Sequence, residues 1–376
     1  MDFGFTAEQE ELRRAAREFF EAETPVRLAR EMLEDPVGVS EQAWKKLAEL
    51  GWTGICVAER YGGSGLGLLE LSLVMEEAGR VVLALPLAST AAMAVPAISR
   101  LATEAQQERL LPELAAGRTR ATLAIAEQSG RWEASGVQAR GESAAGGWVL
   151  SGEKWFVPDA RSADLILVVA GVGEGLGVFV VGRGAEGLEL EPLQTVDGTR
   201  KLDLIRLEGV ALPSDALLGE TARPAGELDA LVDVAKTALA AEMCGLAGRA
   251  LEMSVEYAKV REQFGRPIGS FQAIQHKLAD MKVGLENARS LVYYAAWALD
   301  CGAPDARLAA AMAKAYASDV CPAIIADAVQ VHGGIGFTWE HDLHLYLKRA
   351  NADAVTCGDA DENRELVASL LPTEAQ

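Results

Sequence analysis

The chain has 376 residues, half of them hydrophobic, with 55 acidic against 35 basic side chains and a formal net charge of -20. That length and apolar content bury a large core and suit two or three domains. The acidic balance argues against a nucleic-acid or anionic-membrane binder, which needs a basic face, and is read first as a solubilising surface.

The N-terminus, MDFGFTAEQEELRR, has no basic region followed by an apolar stretch. No apolar run in the pattern reaches the roughly 20 residues of a membrane span, so a cytoplasmic protein without such a span is expected. Cys56, Cys244, Cys301, Cys321 and Cys357 form no CxxC pair and are odd in number, so neither disulfides nor a structural metal is expected.

Thr6 is placed to cap a helix, with Gln9 completing a capping box and Leu12, Ala15, Ala16, Phe19 and Phe20 on one helical face. Helical runs EQAWKKLAELG, LLELSLVMEEAGRVV and EAQQERLLPELAAG follow, separated by turns such as ERYGGSGLG, and predict an N-terminal helical domain over 1–118. From 119 to 222 the texture changes to short β-type runs, ATLAIAE, GGWVLSGEKWFV, ADLILVVA, LGVFVVG, GLELEPL and KLDLIRLEGVAL, spaced by Gly, Asp and Ser. These predict a central antiparallel β-barrel or sandwich. Residues 223–376 return to helix in three long segments and a last one after the glycines, which predicts a C-terminal four-helix bundle. The fold class is mainly α with a β domain.

One stretch breaks its own pattern. In AVQVHGGIGFTWEHDLHLYLKRA (328–350) a good helix stops at His332-Gly333-Gly334. Bare glycine backbone lets a phosphate approach main-chain N–H groups, and a plain interhelical turn is the other reading.

The order of helix, β and helix resembles the acyl-CoA dehydrogenases, flavoproteins that introduce a double bond between Cα and Cβ of an acyl thioester. Three stretches carry the likeness across the whole chain. YAKVREQFGRPIGSFQAIQHKLADM (257–281) is similar to the family's Arg-x-x-Phe-Gly turn before a Phe-Gln helix start; QVHGGIGF resembles its Gln-x-x-Gly-Gly-x-Gly signature; and AIAEQSG with LSGEKWFVPDARSADLILV resembles its flavin-facing strands. The resemblance implies FAD as cofactor. It assigns Arg261, Phe264 and Gln272, with Gln330, His332, Gly333 and Gly334, to the adenylate and pyrophosphate half, bound mainly to a neighbouring subunit. Trp155 and Phe156 then pack against the isoalloxazine, and Glu127 in the adjoining strand is a further cofactor-binding residue. Arg261 suits a phosphate by its planar, multiply donating head. The same resemblance implies an acyl-CoA substrate, an electron-transfer flavoprotein as acceptor, and a homo-oligomer (dimer or tetramer) or a hetero-oligomer with a homologous subunit.

Two departures qualify it. The reaction needs a carboxylate base for the α-proton. Cys357, followed by Gly358 and Asp359, stands where many members carry the Glu, and Ala235, beside Lys236, stands where a second subgroup carries it. Glu242, two turns after Ala235 on the same helix face, is the candidate base, its apolar run ALAAEMCGLAG favouring a raised pKa. Asp353, Asp359 and Cys357 are the alternatives. The second departure is Ala126 in place of the family's flavin-bonding Thr, with Gln128 for Pro and Arg131-Trp132 in the later turn. Both departures resemble partner subunits of mixed assemblies that have lost the base, so a catalytically silent support subunit is the second expectation. A relative with altered flavin chemistry, an oxidase or a monooxygenase, is the third.

Overall fold

A computed structural model describes residues 4–371. The helices are α1 (Ala7–Glu23), α2 (Val26–Glu34), α3 (Glu41–Glu49), α4 (Leu68–Arg80), α5 (Val95–Leu101) and α6 (Glu104–Ala115), then α7 (Ala225–Val260), α8 (Gln272–Cys301), α9 (Ala306–His332), α10 (Leu343–Val355) and α11 (Ala360–Leu370). Between the two groups run β1 (Ala121–Ala124), β2 (Arg140–Ala144), β3 (Gly147–Pro158), β4 (Leu165–Val172), β5 (Gly175–Gly182), β6 (Leu188–Pro192) and β7 (Leu202–Pro213). A small hairpin, β8 (Glu262–Gln263) and β9 (Arg266–Pro267), follows α7.

Two compact units share the chain: one takes the residues up to Arg30, Leu68–Leu83 and everything from Lys236, the other Glu31–Gly67 and Ala84–Ala235. In the first, α1 begins with the expected capping box, Thr6 Oγ1 accepting from Gln9 N at 3.2 Å and Gln9 Oε1 from Thr6 N at 2.9 Å. Helix α4 packs against α1 and α8, and the carboxylate of Asp300 caps its start by accepting from Leu68 N and Leu69 N at 2.7 and 2.9 Å. Where α4 crosses α7 the two backbones touch. A Cβ on Gly245 would stand 1.8 Å from Glu76 O, and one on Gly79 would stand 2.1 Å from Glu242 O. Only glycine at both positions permits that approach. Charged side chains tie α4 to both neighbours: Arg17 of α1 holds Glu77 through two hydrogen bonds (2.9 and 2.8 Å), and Arg80 holds Glu252 of α7 through two more (2.8 and 2.6 Å).

The expectation of four bundle helices needs correction, because the last segment is two. After α10, Cys357 (φ 61°) and Gly358 (φ 92°) turn the chain through left-handed conformations. Asp359 then starts α11 with its own capping box to Glu362. By length and composition Ala306–Phe337 also meets the requirement for a membrane span, against the sequence expectation. Its apolar character is that of a bundle helix, for α9 packs against α8, α10 and α11.

In the second unit the seven strands form one sheet in the order β1-β4-β2-β3-β7-β6, with β5 paired to β4. The sheet is mixed rather than antiparallel: β1 runs parallel to β4, from Ala121 opposite Leu165 to Ala124 opposite Val168, and β2 meets β4 in parallel at Arg140 and Gly171. The hairpin β2–β3 intervenes between β1 and β4, which gives the chain the long crossover that parallel neighbours need. Leu150, Ile166, Val168, Phe179, Ile205 and Val210 form the centre of its core.

Candidate functional site

In the first unit two segments about 70 residues apart in sequence come together. Tyr257, in the last turn of α7, stacks on His332, in the last turn of α9, with ring centroids 4.5 Å apart and planes 21° apart. Arg261 lies one turn beyond Tyr257, its N–H bonded to Tyr257 O at 2.8 Å. On the other side of the stack, Gly333 ends α9 at φ 63°. His332 itself is buried, and its Nδ1 is 2.8 Å from Ala328 O. The ring therefore joins the two helix ends from inside.

The outward parts of this end are open. The Arg261 guanidinium is exposed and makes no hydrogen bond or ion pair among the described residues. Gly333 and Gly334 have nothing within 4 Å of where a Cβ would stand. Gln330 and Gln272, the first residue of α8, are exposed. Phe264, at the tip of the β8–β9 hairpin, is 93% exposed and held at φ 54°. Beside the glycines lies a groove of about 270 Å³ lined by Val329, Gly336, Phe337, Trp339, Leu347 and Lys348, among others. A free guanidinium, unshielded backbone and an exposed aromatic ring fit the phosphate and adenine portions of FAD.

The candidate base has a different setting from the one its sequence context implies. Glu242 is buried as expected, but its Oε1 accepts a hydrogen bond from Arg349 Nη1 at 2.7 Å, and the two side chains are 1% and 0% exposed. Arg349 Nη1 also donates to Leu83 O at 3.1 Å. A guanidinium thus faces the carboxylate inside this otherwise apolar run.

Cys357 is buried in the turn between α10 and α11. Lys314, fully buried on α9, donates to Asp353 O and Ala354 O, both at 2.8 Å, and to Ser318 Oγ at 3.0 Å, so its ammonium satisfies the last carbonyls of α10. Asn363 Nδ2 donates to Gly358 O and Asp359 O at 3.1 and 2.7 Å. The turn is therefore fixed from both sides. Burial pulls the Lys314 pKa down to about 8, and the charges acting on it are those of Cys357, Asp353, Lys236 and Asp359.

In the second unit Glu127, Trp155 and Phe156 are neighbours. Trp155 N donates to Ala126 O at 2.9 Å, and Phe156, at φ 57°, is 38% exposed. Glu127 is turned inward: its Oε1 accepts from Lys154 Nζ at 2.7 Å, Gln138 N at 2.8 Å and Ala139 N at 2.9 Å. Burial lowers the Lys154 pKa to about 8 despite this partner.

Arg349, Lys314 and Lys154 escaped the sequence reading. For Lys314 the signal was a single cation inside the apolar run AAAMAKAYA, which pattern alone assigns to no partner, whereas Lys154 beside Glu153 and Arg349 beside Lys348 look like ordinary surface charges. The two lysines carry a pH prediction. Each is neutral in the folded protein above about pH 8 and protonated in the unfolded chain up to about 10.5, so stability rises with pH across that window, by roughly 1.4 kcal/mol per pH unit for each. Urea denaturation between pH 8 and 10 is expected to show the rise, and Lys314→Met to remove its share of the slope.

Profiles described as the N-terminal, middle and C-terminal domains of acyl-CoA dehydrogenase match residues 6–118, 122–210 and 229–371. The Bacillus subtilis (strain 168) protein named "Probable acyl-CoA dehydrogenase YngJ" is 32% identical over 381 residues, covering 99% of this chain and 100% of that one. Among solved structures, butyryl-CoA dehydrogenase from Megasphaera elsdenii is 30% identical with a TM-score of 0.89, over 98% of this chain and 99% of that one. A chain of the ChsE4-ChsE5 complex from Mycobacterium tuberculosis is 25% identical with a TM-score of 0.90, over 99% of this chain and 100% of that one.

Proposed function

This chain belongs to the acyl-CoA dehydrogenase family, and from that premise we propose that it is a soluble cytoplasmic flavoprotein that binds FAD and carries out α,β-dehydrogenation of an acyl-CoA thioester, passing electrons to an electron-transfer flavoprotein. The observation that carries this reading is the meeting of Arg261 and the Gly333-Gly334 turn at one end of the bundle, joined by the Tyr257–His332 stack. When bound, FAD supplies a hydride acceptor for the β-carbon. Arg261 neutralises a phosphate, the two glycines give it backbone donors, and Phe264 covers an adenine face. The ring of that cofactor lies against the β domain of a neighbouring chain, where the residues corresponding to Trp155 and Phe156 present an apolar aromatic surface to it. A subunit interface at this end, with a second copy or a homologous chain, completes the cofactor's enclosure.

The chain's remaining task is to accept the α-proton. Glu242 does so only if its pair with Arg349 opens, because a carboxylate tied to a buried guanidinium holds its lone pairs away from a substrate carbon. Cys357, in the rigid turn beside Lys314, occupies the position of the usual Glu. These two settings favour the second reading, a support subunit that completes a homologous partner's site. Anaerobic addition of acyl-CoA thioesters of several lengths to the FAD-reconstituted chain decides between them. Bleaching of the flavin band supports the dehydrogenase; no bleaching with any thioester, restored by a co-expressed homologue, supports the support subunit.

The phosphate contact is tested separately. Arg261→Ala removes a charge-assisted hydrogen bond of about 1.5 to 3 kcal/mol, so FAD retention is expected to weaken roughly ten- to hundredfold. Equilibrium dialysis against free FAD measures it, and an unchanged dissociation constant assigns Arg261 to structure alone.

A further inference from the structure

We infer that the buried Glu127–Lys154 pair is a positioning clamp that holds the bulge of β3 carrying Trp155 and Phe156, and so sets the surface against which the flavin ring packs. The inference rests on the FAD-dependent reading above and gives these two residues no contact with the cofactor.

The bulge is explicit in the register. Lys154 lies opposite Ile205 and Val157 opposite Asp203, so Trp155 and Phe156 together face the single residue Leu204. Phe156 there adopts φ 57°, a left-handed conformation that is unfavourable for a residue with a Cβ. Its ring is exposed, while Lys154 before it and Val157 after it are buried. Strain of this kind persists only where the surroundings over-determine it, and it concentrates at ligand sites.

The surroundings here are hydrogen bonds that converge from two directions. Lys154 Nζ donates to Ile125 O at 3.0 Å and to Glu127 Oε1 at 2.7 Å, and Trp155 N donates to Ala126 O at 2.9 Å. The segment 125–127 is thus stitched to the first half of the bulge. The same Glu127 oxygen accepts from Gln138 N and Ala139 N, which anchors that segment to the chain entering β2. Glu127 is the charged group facing Lys154; Glu153 and Arg206, the next residues on β3 and β7, lie on the opposite face and pair with each other at 3.2 Å. Burying two charges in a β core carries a desolvation penalty, and an apolar pair of equal volume often packs as well. What the ionic pair adds is directional bonding, which fixes residues 154 and 155 in one place.

The test uses FAD-reconstituted wild type, Lys154→Met and Glu127→Gln, with circular dichroism and the thermal transition as controls for folding. Glu127→Gln keeps the side-chain shape and an acceptor for Gln138 N and Ala139 N, so it serves if Lys154→Met does not fold. The clamp predicts at least about tenfold weaker FAD binding in the folded variants, with a shifted and less structured visible flavin band. It also predicts that the wild-type band changes shape as pH rises through about 8, where Lys154 loses its charge, and that this step is missing in Lys154→Met. Folded variants with wild-type affinity, band shape and pH profile overturn the clamp and leave the FAD reading standing. A wild-type chain that takes up no FAD under any condition overturns both.

Discussion

Glu242→Gln is expected to lower the stability of the folded protein by about 3 to 5 kcal/mol, the usual consequence of leaving one member of a buried ion pair without its counter-charge. Both side chains are sealed from solvent, and Glu242 sits on α7 where its backbone carbonyl abuts Gly79 of α4. Urea denaturation measures the loss. The neutral double variant Glu242→Gln, Arg349→Met is expected to recover a large part of it, since it removes both desolvated charges. A drop below 1 kcal/mol in the single variant would mean that the pair is open in solution and that Glu242 is available for other work. Flavin bleaching by acyl-CoA then reports on catalysis independently. A general base is worth about 10²- to 10⁴-fold, so bleaching that survives in folded Glu242→Gln removes this residue from the reaction.

Cys357→Glu is expected to accelerate thioester-dependent flavin bleaching by about 10²- to 10⁴-fold over wild type, the contribution of a positioned general base. The substitution places a carboxylate in a turn already held by Lys314, Ser318 and Asn363, so it requires no new backbone geometry. Lys314, whose ammonium ends on the last carbonyls of α10 beside this turn, is the counter-charge that lets a buried carboxylate stay ionised there. Stopped-flow absorbance of the reconstituted chain gives the rate. Equal rates in wild type and Cys357→Glu would show that residue 357 does not reach the substrate, or that another base already serves. The triple comparison with Glu242→Gln separates those two cases.

Most of the architecture was legible because periodicity and capping are local. The Thr6–Gln9 box, the long helices of the C-terminal region and six of the seven strands follow from side chains within a few residues of each other. Strand β2 was not legible. RGESA has one buried residue and four exposed ones, so it carries no apolar alternation and is a strand only because β3 pairs along its whole length. The split between α10 and α11 was hidden for a similar reason. Cys357 adopts a glycine-like conformation that its identity does not announce, and the turn exists because Lys314 reaches it from α9.

By itself, then, the sequence determined the order of helical and β regions and the glycine break after His332, since each is a matter of residue type and spacing. Tertiary structure decided the direction of β1 beside β4 and the fate of the buried charges. Parallel pairing depends on a crossover rather than on composition. Glu242, Lys314 and Glu127 look alike in sequence as lone charges in apolar or mixed runs, yet one meets a guanidinium, one the carbonyl end of a helix and one a lysine with two backbone N–H groups. The partner of a buried charge lies far away along the chain, between 11 and 107 residues in these cases, and the energy of burial depends almost wholly on that partner. Local pattern therefore locates such a charge, and the fold alone gives it a role.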